Sequence, residues 1–315
     1  VLIPFGHRAW NVWATLALLV FVSARVQAQS PGASSPGGCQ VIDLMPEFWS
    51  FWNAARDRDP TTQVRLFETM IRAPHAEVYD AVLRGVNIPV EQLVPRSIEG
   101  ARGAEPALRR LASQVTLDLP EQLLRFRREF PDFTCSTPVY FMYSVGTFDG
   151  ATRTVAGKTA LIFGLDVIAR LHGERLTPLA VHELFHVHHQ NLLPGSPGAF
   201  YWSMWREGLA THVSRRLNPT IAEQDACCLP PLEPIRAMMP RLVTGAIGLL
   251  DSTRRDDYAR YFLGGVDQDI PVRSGYYLGY LVARDLGETR SLAELARMTP
   301  GVVRPLLEQA LRRLR

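Results

Sequence analysis

Apolar residues in this chain recur mostly three and four positions apart, the period of helices buried on one side. MPEFWSFWNAARD predicts an amphipathic helix whose buried stripe is Phe48, Trp49, Phe51 and Trp52, and TTQVRLFETMIR and APHAEVYDAVLRG predict two more after Asp59-Pro60. Gly100 to Gly103 predicts a loop, with two further helices after it, the last being PEQLLRFRREFP. Residues 41–134 are therefore expected to form a helical lobe. Strand-like composition appears only at 139–145 (VYFMYSV) and 159–168 (TALIFGLDVI), and the GTFDGATRTVAG between them has the composition of turns. Two or three antiparallel strands are expected there. A helix then starts at Thr177-Pro178 and stops at Pro194-Gly195, and another runs from about Phe200 to Leu217, ended by Asn218-Pro219. Residues 135–217 form the expected core. Residues 218–315 read as helical again, and the last helix carries Leu306, Leu307, Ala310, Leu311 and Leu314 at core-packing spacing. The predicted class is α+β, mostly helical, with a small antiparallel sheet before the 177–194 helix.

The first forty residues differ in kind. Residues 1–28 have the form of a secretory signal: His7 and Arg8, an apolar run at 13–22, and a small-residue cleavage site ending at Ala28. Residues 29–40 are a Ser, Pro and Gly linker, too polar to bury a core. Loss of Arg8 and Arg25 with the leader lowers the formal charge from +3 to +1, so nothing points to nucleic acid or to an anionic membrane. No other apolar stretch is long enough to span a bilayer, and a periplasmic or secreted protein is expected. The four cysteines, Cys39, Cys135, Cys227 and Cys228, are not spaced as a zinc knuckle, and in an oxidising compartment they favour disulfides. A bond between neighbours Cys227 and Cys228 is strained. Either Cys39 and Cys135 each take one of that pair, or Cys39 and Cys135 bridge each other.

The chemistry concentrates at HELFH. His182 and His186, four apart on a helix, stack on one face and reach one point about 2 Å from each ring, the geometry of a zinc site. Glu183 lies one residue round, off the ligand face, where a carboxylate acts as general base on a water. Glu207 in WREGLATH supplies a third ligand, and Gly208 and Ala210 beside it let its helix approach the first. Of the eight histidines, His189 falls on the ligand face but roughly 10 Å along the helix from His182, so it reads as a cleft or supporting residue. His188 reads as surface, His212 lies too far round from Glu207 to share a ligand, and His172 and His75 belong to no cluster.

HExxH followed by a glutamate in an EGLA-like helix resembles the gluzincin zinc metallopeptidases, and HELFHVHH, EGLATH and GYYLGY together are similar to the predicted zinc-dependent proteases of bacteria. The resemblance implies a thermolysin-like zincin fold, one Zn2+ on His182, His186 and Glu207, Glu183 as general base, and a peptide or protein substrate laid along a sheet edge. Metzincins fit poorly, since the position of their third histidine is Leu192 here. For the group that stabilises the transition state, VRSGYYLGY offers Arg273, Tyr276, Tyr277 and Tyr280. Arg273 and Tyr276 have an Arg-x-x-Tyr spacing that resembles that of the clostridial neurotoxin light chains. Tyr276 is the first choice and Tyr280 the second, against the alternative that all three tyrosines are packing residues. The competing function is a zincin-fold binding or structural protein of the cell envelope without turnover.

Overall fold

A computed structural model of the chain describes residues 39–173, 175–195, 197–226, 231–263 and 269–315, the side chains of 116–118 excepted. The expected signal at 1–28, most of the linker, and Cys227 and Cys228 lie outside the described residues. The elements in order are β1 (Val41–Asp43), α1 (Met45–Ala55), α2 (Pro60–Phe67) continued by a π-helical turn (Glu68–Arg72), α3 (Ala76–Leu83), α4 (Val90–Glu129), β2 (Val139–Met142), β3 (Gly150–Val155), β4 (Lys158–Gly164), α5 (Leu165–His172), α6 (Leu176–Leu192) and α7 (Phe200–Leu217). After them come α8 (Leu232–Ala237), α9 (Met239–Leu249), α10 (Arg255–Phe262), α11 (Ser274–Leu286), α12 (Leu292–Ala296) and α13 (Pro300–Arg313). The class is α+β and mostly helical, as the periodicity predicts.

The sheet differs from expectation. Its strand order is β1-β2-β4-β3, with β1, β2 and β4 mutually parallel and only β3 antiparallel to β4, so it is mixed and not antiparallel. Its first strand comes from the segment expected to be wholly helical. Val41 pairs with Val139, and the Cys39–Cys135 disulfide closes the chain just ahead of both strands. β3 lies inside the stretch read as turns because it is an edge strand with Thr152, Arg153 and Thr154 exposed, which removes the apolar alternation. It joins β4 through Ala156 and Gly157, both at positive φ, the two-residue turn that suits strand twist. The strand expected at 159–168 ends at Gly164. Its continuation is α5, whose Asp166 carboxylate accepts the Ser144 and Gly146 amides, each at 2.7 Å, and so shapes the loop between β2 and β3.

The expected loop at Gly100 to Gly103 is also absent. Residues 90–129 form a single helix of 40 residues, roughly 60 Å at 1.5 Å per residue, despite Pro95, Pro106 and Pro120. Each proline removes one backbone hydrogen bond. The buried stripe nevertheless stays in phase through Val94, Ile98, Ala101, Leu108, Leu111, Val115, Leu119 and Phe126, and it packs on α2, α5 and α6. Tertiary burial outweighs local propensity here. In α1 the buried residues are Met45, Phe48, Phe51, Trp52 and Ala55. Trp49 sits to the side, its ring 4.2 Å from the Arg109 guanidinium carbon. Phe48 packs on Tyr143 at 4.7 Å, which ties this helix to the end of β2.

Candidate metal centre

α6 is apolar on most sides. Leu179, Val181, Leu184, Phe185 and Val187 are buried, and this burial fixes which way His182 and His186 point. α7 packs against it, and the Ser214 hydroxyl donates to the Pro178 carbonyl at 2.7 Å. Gly208 does not serve this contact as expected. A Cβ built on it would stand 2.0 Å from the Gly279 carbonyl carbon, and one on Gly279 would stand 2.1 Å from the Met204 carbonyl oxygen. The two glycines therefore let the α7 and α11 backbones touch, which brings Tyr276 to the site.

Three ligand atoms converge. His186 Nε2 lies 3.0 Å from His182 Nε2 and 3.1 Å from Glu207 Oε2, and His182 Nε2 lies 3.3 Å from the same oxygen. Bonds of about 2.0–2.1 Å at tetrahedral angles put neighbouring ligand atoms roughly 3.3 Å apart, so the triad has the span of three corners of a small tetrahedral site. Among the described residues this is the group of side chains able to hold a metal ion. Burial acts against charge on all three. It lowers the His182 pKa to about 4, whereas at His186 the Glu207 carboxylate outweighs burial and raises it. At Glu207 burial likewise opposes the charge, but both histidines hold the carboxyl well below its ordinary range. Two imidazoles and a carboxylate crowded in this way are a donor set for a borderline cation. The Nδ1 atoms of both histidines are buried without a hydrogen-bond partner among the described residues, whose packing on the rings includes the Tyr276 ring 6.4 Å from His182 at an interplanar angle of 25°.

Glu183 faces the start of β3. A Cβ on Gly150 would come within 3.0 Å of its Oε1, so the bare backbone at that position leaves room for the carboxyl. Burial, with the nearby charges of Glu207 and Asp149, pushes its pKa up to about 7, against the pull of His186 and Arg153. A carboxyl balanced near neutral pH both takes and gives a proton.

Arg273 and Tyr276 lie side by side, with the Tyr276 ring 6.4 Å from that of His182. Arg273 caps α11 in the left-handed region (φ 59), and its guanidinium carbon lies 5.7 Å from the centre of the Tyr276 ring. Burial, then Glu207 and Tyr258, raise the Tyr276 phenol well above its ordinary pKa, so it stays a donor. Tyr280 is elsewhere, its ring 6.2 Å from His212 and under Arg284, and Tyr277 is buried and accepts from Arg236 at 3.3 Å. The second choice for the donor is thus placed away from the triad.

One cluster was not legible. His172 Nε2 donates to Asp149 Oδ2 at 2.9 Å, and Arg273 Nη2 stands 3.8 Å from the same oxygen. The loop before β3, the end of α5 and the cap of α11 meet at that carboxylate. Residues 149, 172 and 273 share no sequence spacing, and only the fold joins them. His188 is buried, not at the surface, among Phe126, Phe130 and Phe133, with Asp132 at 3.9 Å. His189 is also buried, its ring packed on those of Phe185 and Trp202.

No family model, no curated protein and no solved structure matches this chain.

Proposed function

We propose that the chain is an exported zinc-dependent peptidase. The observation that carries this reading is the convergence of His182, His186 and Glu207 with a carboxyl, Glu183, balanced near neutral pH beside them. A bound Zn2+ would supply Lewis acidity and make water acidic enough to attack at neutral pH. His182, His186 and Glu207 would hold the ion through two imidazole nitrogens and one carboxylate oxygen. Glu183 takes the proton of the attacking water at its carboxylate and passes it to the leaving amine nitrogen. The Tyr276 hydroxyl, which bonds to none of the described residues, donates to the oxygen that gains charge when the carbonyl becomes tetrahedral. Arg273 positions that tyrosine by stacking on its ring while its charge is held toward Asp149.

The substrate is a peptide or protein segment in extended form. Among the described residues β3 is bonded on one side only, to β4, and its first residue touches Glu183. An added strand there satisfies peptide N–H and C=O groups whatever the side chains. The Cys39–Cys135 disulfide supports an oxidising compartment, and among the described residues no helix is long and apolar enough to cross a membrane. The experiment is exposure of a mixed peptide library to wild type and to Glu183→Gln. Cleavage by the first and not by the second supports the reading, and no cleavage by zinc-loaded wild type overturns it.

A further inference from the structure

α7 and α11 also border a cavity away from the metal triad. Glu207 and Tyr276 lie before the Gly208–Gly279 contact, and His212 and Tyr280 lie after it, so the two helices lead from the metal centre into this second region. There, among the described residues, they border a cleft of about 690 Å³, within the size range of small-molecule sites, roughly 300–1,000 Å³. Arg215 and Arg216 line it from α7 and Arg284 from α11, together with the Tyr280 ring.

The charges in the cleft are unevenly committed. Glu223 accepts from Arg284 at 3.0 Å and also from Arg236 at 2.8 Å. Arg215 donates to a neutral group, the Asn218 carbonyl, at 3.2 Å. Arg216 is exposed and has no ion pair or hydrogen bond with any described residue. His212 is 5% exposed, lines the cleft and has no hydrogen-bond partner among the described residues. A Cβ at Gly287, which also lines the cleft, would come within 2.9 Å of His212 Nε2, so that nitrogen faces the cleft wall where glycine leaves it uncovered. Burial first, then the charges of Arg216 and Arg284, hold this imidazole neutral, with a pKa of about 4. A neutral imidazole has one N–H to donate. Forked guanidinium donors with a buried N–H between them match the lone pairs of an oxyanion. Two carboxylates also line the cleft, Glu223, which is held by Arg284 and Arg236, and Glu288.

We propose that this cleft binds a small oxyanion carrying two negative charges, the chemistry shared by phosphate and short dicarboxylates. The proposal is independent of the hydrolytic reading, because none of its residues touches the metal triad. The test is isothermal titration of the full, metal-loaded chain at low salt with inorganic phosphate and, separately, with succinate. Saturable binding of at least one is expected, and the preferred anion identifies which oxyanion the arginines fit. Arg216→Glu should weaken that binding at least tenfold, while reversal of a distant exposed arginine, Arg65→Glu, should leave it unchanged. Heats from both anions no larger than those of chloride at matched ionic strength would overturn the proposal. Equal affinity in Arg216→Glu and wild type would overturn it too, as would equal loss in the two arginine variants.

Discussion

Gly208→Ala should be among the most damaging single-methyl changes in the chain. The added Cβ would sit 2.0 Å from the Gly279 carbonyl carbon and 2.4 Å from both Gly279 Cα and the Gly279 oxygen. Carbon atoms in contact prefer about 3.5–4.0 Å, so relief requires α7 and α11 to part by roughly 1.5 Å. The atoms it meets are backbone, and no side chain can swing aside. Overpacking typically costs about 1–3 kcal/mol, and a rigid clash belongs at the upper end, while the helix preference for Ala over Gly returns up to about 1 kcal/mol. The net loss expected is about 2–3 kcal/mol, or roughly 3–5 °C in Tm for a domain of about 280 residues. Gly248→Ala in α9 is the control. Nothing lies within 4 Å of its Cβ position, and it should be neutral or slightly stabilising. Urea denaturation of the three proteins in parallel gives the comparison. A Gly208→Ala variant within about 0.5 kcal/mol of wild type would refute the close crossing, and with it the account of how Tyr276 reaches the metal centre.

Removal of one hydroxyl by Tyr276→Phe should lower kcat about a hundredfold with metal content unchanged, whereas Tyr280→Phe should leave kcat near wild type. Steady-state kinetics on a cleaved peptide reads both. Joint replacement of Cys39 and Cys135 by Ser opens a loop with a sequence separation of 96 and should cost about 3–4 kcal/mol by urea unfolding, a loss absent if the bridge does not form. Asp149 gives a pH prediction. Burial opposes its charge, but the His172 hydrogen bond, the Arg273 charge and the Gly150 amide hold its pKa at about 2, below its ordinary 3.8. As pH falls below 3.8 the unfolded chain takes up a proton that the folded chain refuses, so stability is full above that value and lost on the way to 2. The gap between wild type and Asp149→Asn, about 2 kcal/mol at pH 5, should close toward pH 2, and a gap that stays constant would contradict the assignment.

The triad was legible because two histidines four apart on one helix need no tertiary information, and because helix stops isolate α6 and α7. The edge strand β3 was not legible, since three consecutive exposed polar residues carry no alternation. Nor was the unbroken α4, where glycine and proline signal a break locally and a long buried stripe overrides them. Gly208 meets α11 and not the expected α6 for a related reason. A glycine announces close approach, but only the fold says to what. Asp149, His172 and Arg273 meet through three separate elements, and no spacing rule reaches that far.

The proposed chemistry needs His182, His186 and Glu207 to hold a metal and Glu183 to serve as the base beside it. Zinc content by elemental analysis and peptide hydrolysis, measured on the same preparations of wild type, Glu183→Gln and Glu207→Ala, test it most directly. About one zinc per chain with hydrolysis is expected in wild type, nearly the same zinc with no hydrolysis in Glu183→Gln, and weakened zinc binding in Glu207→Ala. Equal zinc loss in both variants, or hydrolysis by Glu183→Gln at the wild-type rate, would contradict it.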